Sequence, residues 1–270
     1  MSRRAASRRV FAAALAAAAL LLLGHGTGDL ARGEQTAYGS LVLSLDGGIS
    51  PLKLPRERAE PVTIDLAGGL RTTDRSLLPR VARIELGLPE GGVLSTSGLP
   101  VCGQRQLRDA TSEEALETCG GALVGRGEIE ADVLLPHQQP FTIEARLLAF
   151  NGRAAGGRRA LLLHAFAAKP PTVVVLPFVV ERRGGMFGTA IAADLPPSLG
   201  PWPHFARFEM TLGRRYVYRG QRRGYLSASC PIPKIFTAGF IPFARATYTL
   251  ADGRRVSTEI ARGCRAGRGD

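Results

Sequence analysis

The feature that most constrains this chain is a period of two. From Glu128 to Leu135, Ile129, Ala131 and Val133 alternate with Glu128, Glu130 and Asp132. Phe141, Ile143, Ala145, Leu147 and Ala149 alternate with Thr142, Glu144 and Arg146. Ala206, Phe208, Met210 and Leu212 alternate with Arg207, Glu209 and Thr211, and Ala244, Ala246, Tyr248 and Leu250 with Arg245, Thr247 and Thr249. Successive side chains of a strand point to opposite faces, so each run has one face for a core and one for water. Val173 to Val180 is apolar on both parities and predicts a strand covered on both sides. Asp252-Gly253 predicts a tight hairpin, and Asn151-Gly152 a longer turn toward Arg159. A content of 33 Gly and 18 Pro suits short strands and frequent turns, and 45% apolar residues exclude a disordered chain.

One helix is predicted. Thr111-Ser112-Glu113-Glu114 has the spacing of a capping box, in which Thr111 and Glu114 satisfy free N–H groups reciprocally, and the helix runs on to Thr118. It lies between Cys102 and Cys119. Four cysteines allow three pairings, and sequence proximity favours Cys102–Cys119 and Cys230–Cys264. The first bridge would make the helical stretch a tied lid on a β-rich body.

Motifs in the two halves match in order. Pro51-Leu52-Lys53-Leu54 resembles Pro177-Phe178-Val179-Val180, and Ile64-Asp65-Leu66 resembles Ala193-Asp194-Leu195. Ala82-Arg83-Ile84-Glu85-Leu86 resembles Ala206-Arg207-Phe208-Glu209-Met210, and Leu94-Ser95-Thr96-Ser97 resembles Leu226-Ser227-Ala228-Ser229. Pro140-Phe141 and Asn151-Gly152-Arg153 return as Pro242-Phe243 and Asp252-Gly253-Arg254. The expected fold is therefore all-β: two consecutive antiparallel β-sandwich-like units, 34–168 and 169–270, related by a diverged internal duplication. A lipocalin-like single barrel is the less favoured arrangement.

The first 33 residues read as an address. Ser2 to Arg9 holds four arginines and no acid, and Phe11 to Leu23 is an unbroken apolar run. That run falls short of the roughly 20 residues that cross a bilayer as a helix. With the small-x-small exit Ala31-Arg32-Gly33, it predicts an export signal over 1–33. Ser7-Arg8-Arg9-Val10-Phe11 also fits the core of a twin-arginine signal, so the Sec and twin-arginine routes both stay open, as does retention as an uncut anchor. Paired cysteines suit an oxidising destination.

Many chemistries lack their motifs. There is no GxSxG, HExxH, GxxxxGK[ST] or GxGxxG, and no Asp-rich calcium loop. No CxxC occurs and the histidines are scattered, so neither a metal nor a cofactor is expected. Glu85 and Glu209 are the symmetric carboxylates for glycoside chemistry, but each stands on a polar strand face beside Arg83 or Arg207, where an ion pair is the ordinary role. His164, among Leu161, Leu162, Leu163 and Phe166, suits a hydrogen-bonded core position better than a base.

The net charge is +12, and +8 once residues 1–33 are set aside with their five arginines and one aspartate. The densest basic stretch reads as a hairpin: Arg214, Arg215, Arg219, Arg222 and Arg223 interleaved with Tyr216, Tyr218 and Tyr225. Guanidinium forks suit phosphate and carboxylate groups, so these arginines are candidate anion ligands. Trp202, Tyr216 and Tyr218 are candidate stacking platforms for a sugar or an apolar ligand.

Leu199-Gly200-Pro201-Trp202-Pro203 and Tyr225-Leu226-Ser227-Ala228-Ser229-Cys230-Pro231 resemble secreted β-rich proteins of high-GC actinobacteria for which no activity is known. The resemblance implies an exported, disulfide-bearing envelope or extracellular protein and carries no catalytic residue. The expected function is that of a non-enzymatic exported protein binding an anionic envelope polymer or lipid surface. No specific nucleic-acid recognition is expected, and the oligomeric state stays open. The alternative is a hydrolase acting on glycans or lipids in a cleft between the two units.

Overall fold

The computed structural model describes residues 33–267. The expected export signal, apart from Gly33, lies outside the described residues. Alternating runs become strands throughout: β1 (Glu34–Tyr38), β2 (Leu41–Ser50), β3 (Lys53–Leu54), β4 (Glu60–Thr72), β5 (Val81–Leu88), β6 (Gly92–Leu94), β7 (Leu123–Val133), β8 (Phe141–Arg153) and β9 (Arg159–Ala168). The chain continues as β10 (Pro171–Arg182), β11 (Thr189–Asp194), β12 (Pro203–Leu212), β13 (Arg215–Tyr218), β14 (Gln221–Gly224), β15 (Leu226–Ala228), β16 (Ala238–Leu250) and β17 (Arg255–Ala266). The helices are α1 (Gln104–Leu107) and α2 (Ser112–Cys119).

Fifteen strands form one sheet in the order β1-β2-β4-β12-β7-β8-β9-β10-β11-β5-β16-β17-β3, with β15 pairing both β4 and β6, and β13-β14 standing apart as a hairpin. Pairing is antiparallel except between β17 and β3. Strands of 34–168 and 169–270 alternate in this order: β12 sits between β4 and β7, and β5 between β11 and β16.

The sheet curls into a half-barrel. Bulges at Phe205/Arg207 and Pro242/Ala244 add local twist. Gly69 and Gly127 let β4 and β7 press against β12, since a Cβ would stand 2.3 Å from the Ala206 oxygen in the first case and 2.0 Å from the Glu209 oxygen in the second. Curling brings β17 beside β1 and β2, where side chains bridge the seam. Tyr38 Oη donates to Ser257 O at 3.0 Å, Thr36 Oγ1 lies 3.0 Å from Thr258 Oγ1, and the Arg262 guanidinium meets Asp46 at 2.5 Å and Gly47 O at 2.5 Å.

The main core fills the concave side, with Leu43, Leu45, Leu54, Tyr225, Tyr248 and Leu250 among its most buried members. A smaller core lies on the convex side, where Leu107, Ala115 and Ala122 pack on Leu148, Phe150, Leu162 and Val179 of β8, β9 and β10. The Val173 to Val180 run packs on both faces only from Val175 onward: Phe178 and Leu176 face one core and Val179 and Val175 the other, while Val173 and Val174 are half-buried.

The Thr111 capping box forms: Thr111 N–H donates to Glu114 Oε2 at 2.7 Å, and Glu114 N–H to Thr111 Oγ1 at 3.3 Å. Cys102–Cys119 and Cys230–Cys264 are bonded, and no cysteine is free among the described residues. Two bridges of this kind belong to a non-cytoplasmic setting. Among the described residues no helix is long and apolar enough to cross a membrane.

Two local expectations need correction. Asn151-Gly152 does not open a turn; both residues lie inside β8, and the turn falls at Ala154 to Arg158, where Gly156 and Gly157 carry positive φ. Asn151 is instead buried and tethers the helical loop, donating from Nδ2 to Pro100 O at 2.8 Å while its carbonyl accepts Cys102 N–H at 2.9 Å. The second correction concerns Ala206. The bulge beside it breaks the alternation, so Phe205 joins Phe208 on the concave face. Asp252-Gly253 does form the predicted hairpin, with Gly253 at φ 86°.

Candidate functional site

Inside the half-barrel the concave face is not completely filled. A cavity of about 410 Å³ runs along β7, β8, β9, β10 and β12. Its walls are the residues that the alternation turns inward: Ile129, Ala131 and Val133, then Ile143, Ala145 and Leu147, then Phe208 and Met210. Leu163, Ala165, Val174 and Leu176 close the far side. The floor, at Leu147, Leu161, Phe178, Met210 and Tyr248, is buried, whereas Ile129, Ile143, Leu163, Ala165 and Val174 are only half-buried. Along β8 the lining extends from Phe141 to Leu147. Six steps of a strand cover roughly 20 Å, so the hollow is elongated.

The rim lies where β7 passes to β8, β9 to β10 and β11 to β12. Leu135, Phe141, Pro170, Thr172, Leu199 and Trp202 stand there. Trp202 is 39% exposed, and its carbonyl accepts Leu134 N–H at 3.1 Å, which ties the rim segments together. Phe141 is 36% exposed. Of the candidate stacking residues, Trp202 is thus the one placed at an open apolar site.

Polar groups in this chamber are few. The Tyr248 ring stacks on Phe205 with centroids 5.8 Å apart, and its hydroxyl is buried without a hydrogen-bond partner. Burial pushes the Tyr248 phenol well above the usual tyrosine range. Glu85 belongs to the wall by its backbone strand, but its carboxylate meets Arg183 at 3.4 Å. The lining is almost wholly apolar and suits apolar surface.

The other candidates fall elsewhere. Arg83 pairs with Asp194 at 2.8 Å and Glu181 at 3.8 Å, and Arg207 with Glu130 at 3.1 Å. Glu209 is exposed on the outer face, in an open polar groove with Arg126, Glu128, Glu144 and Arg146. His164 lies beneath the helical lid with no exposure, Nε2 at 2.8 Å from Ala110 O, and Nδ1 unpartnered. His204 Nδ1 is 2.6 Å from Leu78 O. Glu85, Glu209 and His164 are therefore not brought together.

The arginine hairpin forms over β13 and β14, with Arg219 and Gly220 at its bend, both at positive φ. Arg214 is directed inward from it: Nη1 donates to Gly121 O at 2.5 Å and Leu123 O at 3.0 Å, closing off the carbonyls that follow α2. Tyr216 Oη donates to Ser97 O at 2.9 Å. Tyr218 packs so closely on Gly98 that a Cβ there would stand 2.3 Å from the ring, and Arg219 lies 5.3 Å from its centroid. Both hairpin tyrosines are engaged within the protein. Arg215, Arg219, Arg222 and Arg223 are exposed, and none is in an ion pair among the described residues.

The alternation marked the lining residues as core, but the space between them is set by the order and curl of distant strands. Among the described residues no three His, Cys, Asp or Glu side chains gather to hold a metal ion. No protein-family model, no curated protein and no solved structure matches the chain.

Proposed function

We propose that this chain is an exported, non-enzymatic binding protein that holds an elongated apolar molecule, such as an acyl or alkyl chain, in the hollow of its curled sheet. The carrying observation is the continuous apolar lining from Phe141 at the rim to Leu147 at the floor. Each buried methylene contributes about 0.8 kcal/mol, so a chain of about ten methylenes brings about 8 kcal/mol against the cost of association. The basic, then apolar N-terminal segment and the two disulfides support export. The test uses Trp202, the one Trp of the chain. Titration with a long-chain fatty alcohol should shift its emission saturably to the blue; no shift and no saturable binding would refute the reading.

A second reading, capture of an anionic polymer, has one observation in its favour: four exposed arginines outside ion pairs on one short hairpin. Salt-sensitive retention on an anionic polysaccharide, lost on replacing Arg215, Arg219, Arg222 and Arg223 by Ala, is its test.

This reading includes the diverged duplication. Its support is the strand order: β2-β4-β12-β7-β8 and β10-β11-β5-β16-β17 have the same pattern, each with its third strand supplied by the other half. The matched pairs β4/β11 and β5/β12 occupy equivalent places in the two runs. Phe141 lies on β8 and Pro242-Phe243 on β16, at different places in the runs.

A further inference from the structure

At the end of the half-barrel away from the cavity rim, four apolar side chains stand in the open. Ile235 is 84% exposed, Phe240 83%, Phe236 54% and Leu52 53%. These values are far above those of rim residues such as Trp202 at 39%. Phe240 pairs with Gly263 on β17, which offers no side chain to cover the ring. The patch is one assembly. Arg265 N–H donates to Leu52 O at 2.8 Å, Ala266 N–H to Thr237 O at 3.0 Å, and Arg56 Nη2 to Phe236 O at 2.8 Å. Cys230–Cys264 staples its base, with Gly239 opposite Cys264 and Cys230 N–H on Pro55 O at 2.7 Å.

Cations surround the knobs. Lys53 pairs in register with Arg265, Arg265 lies opposite Ala238, and Lys234 precedes Ile235. Lys53, Lys234 and Arg265 are exposed. Arg56 and Arg58 lie on the adjoining loop with Glu57, and Glu60 at the start of β4 is held by Arg58 at 3.0 Å.

We propose that this end docks on an anionic lipid bilayer, with Phe240, Ile235, Phe236 and Leu52 entering the interface and Lys53, Lys234 and Arg265 meeting headgroup phosphates. The inference is separate from the cavity reading and uses none of its lining residues. Protruding apolar tips set among cations fit a soft, negatively charged surface, whereas a protein partner calls for a flat complementary face. A bilayer accepts separate knobs at varying depth and supplies the counter-charge in the same plane.

The experiment uses the full chain with Trp202→Phe and Phe240→Trp, so that the only indole is at position 240. With vesicles of phosphatidylglycerol and phosphatidylcholine, its emission should move to the blue and be quenched by brominated acyl chains. Adding Lys53→Glu and Arg265→Glu should weaken this on the order of tenfold, and raised salt should weaken it too. Equal response to pure phosphatidylcholine, or no effect of the two charge reversals, overturns the charge pairing. An indole that stays in water beside bound vesicles overturns the insertion. A blue shift that grows with protein concentration in the absence of lipid overturns the proposal in favour of a second copy of the chain. Loss of fatty-alcohol binding with vesicle insertion intact would bear on the cavity alone.

Discussion

Leu94 of β6 and Leu226 of β15 lie directly opposite each other in an antiparallel pair, and they are also residues that match when the two halves are aligned. The pairing joins one strand of 34–168 to one of 169–270. β5 and β12 are likewise each embedded among strands of the other half. It follows that 34–168 and 169–270 should not fold as separate pieces. Expressed alone, each should lack a cooperative unfolding transition by circular dichroism, whereas the whole chain unfolds in one step. A cooperative transition in either fragment would show that the interleaving is not needed for folding.

Arg214 and its hairpin neighbours should behave differently. Arg214→Ala strips its donor from the Gly121 and Leu123 carbonyls, and hydrogen bonds from charged groups contribute about 1.5–3 kcal/mol. Replacing Arg222 and Arg223 by Ala should change stability by less than about 0.5 kcal/mol. Denaturant midpoints compare them directly; equal effects would show that Arg214 is not structural.

The Cys102–Cys119 bridge closes a span of 17 residues and Cys230–Cys264 one of 34. Chain entropy then assigns roughly 3 and 4 kcal/mol respectively. Cys102→Ala with Cys119→Ala should release the convex-side lid, raising hydrogen exchange over 104–122 and exposing His164, while the concave core stays protected. Uniform loss of protection across both cores would mean that the lid is integral to the sheet.

Alkaline pH should weaken the fold through two phenols. Burial raises both Tyr225 and Tyr248, and both hydroxyls lack partners. A group whose folded pKa is raised gives stability that is complete below its unfolded value and is lost as pH climbs past it, here from about pH 10 upward. The tyrosinate absorbance of these two residues should therefore appear together with unfolding. Tyr248→Phe should flatten the alkaline loss, and an unchanged pH profile would contradict it.

Much of the fold was legible because alternation is a local property. Ile129, Ala145 and Met210 could be assigned inward from their neighbours alone, and the Thr111 capping box and both disulfides from short spacings. The strand order could not, because β4 meets β12 only after more than a hundred intervening residues have been placed. Ala206 misled because a bulge, which keeps no sequence period, resets the faces around it. Asn151 misled because Asn-Gly is a turn dipeptide wherever it is read locally, and only the tertiary pairing with Cys102 and Pro100 makes it a buried anchor. The cavity has no sequence signal for a related reason: an inward apolar residue reads the same whether it meets another side chain or an empty space.

The most direct measurement is calorimetric titration of a long-chain fatty alcohol into the wild-type chain and into the variant carrying Ala145→Phe and Ala165→Phe. Both alanines line the hollow, and two phenyl rings there would occupy the space a ligand needs. The wild type should bind saturably at one ligand per chain with a negative heat-capacity change, and the variant, still folded, should lose that binding. Binding of equal strength in both would contradict the cavity reading.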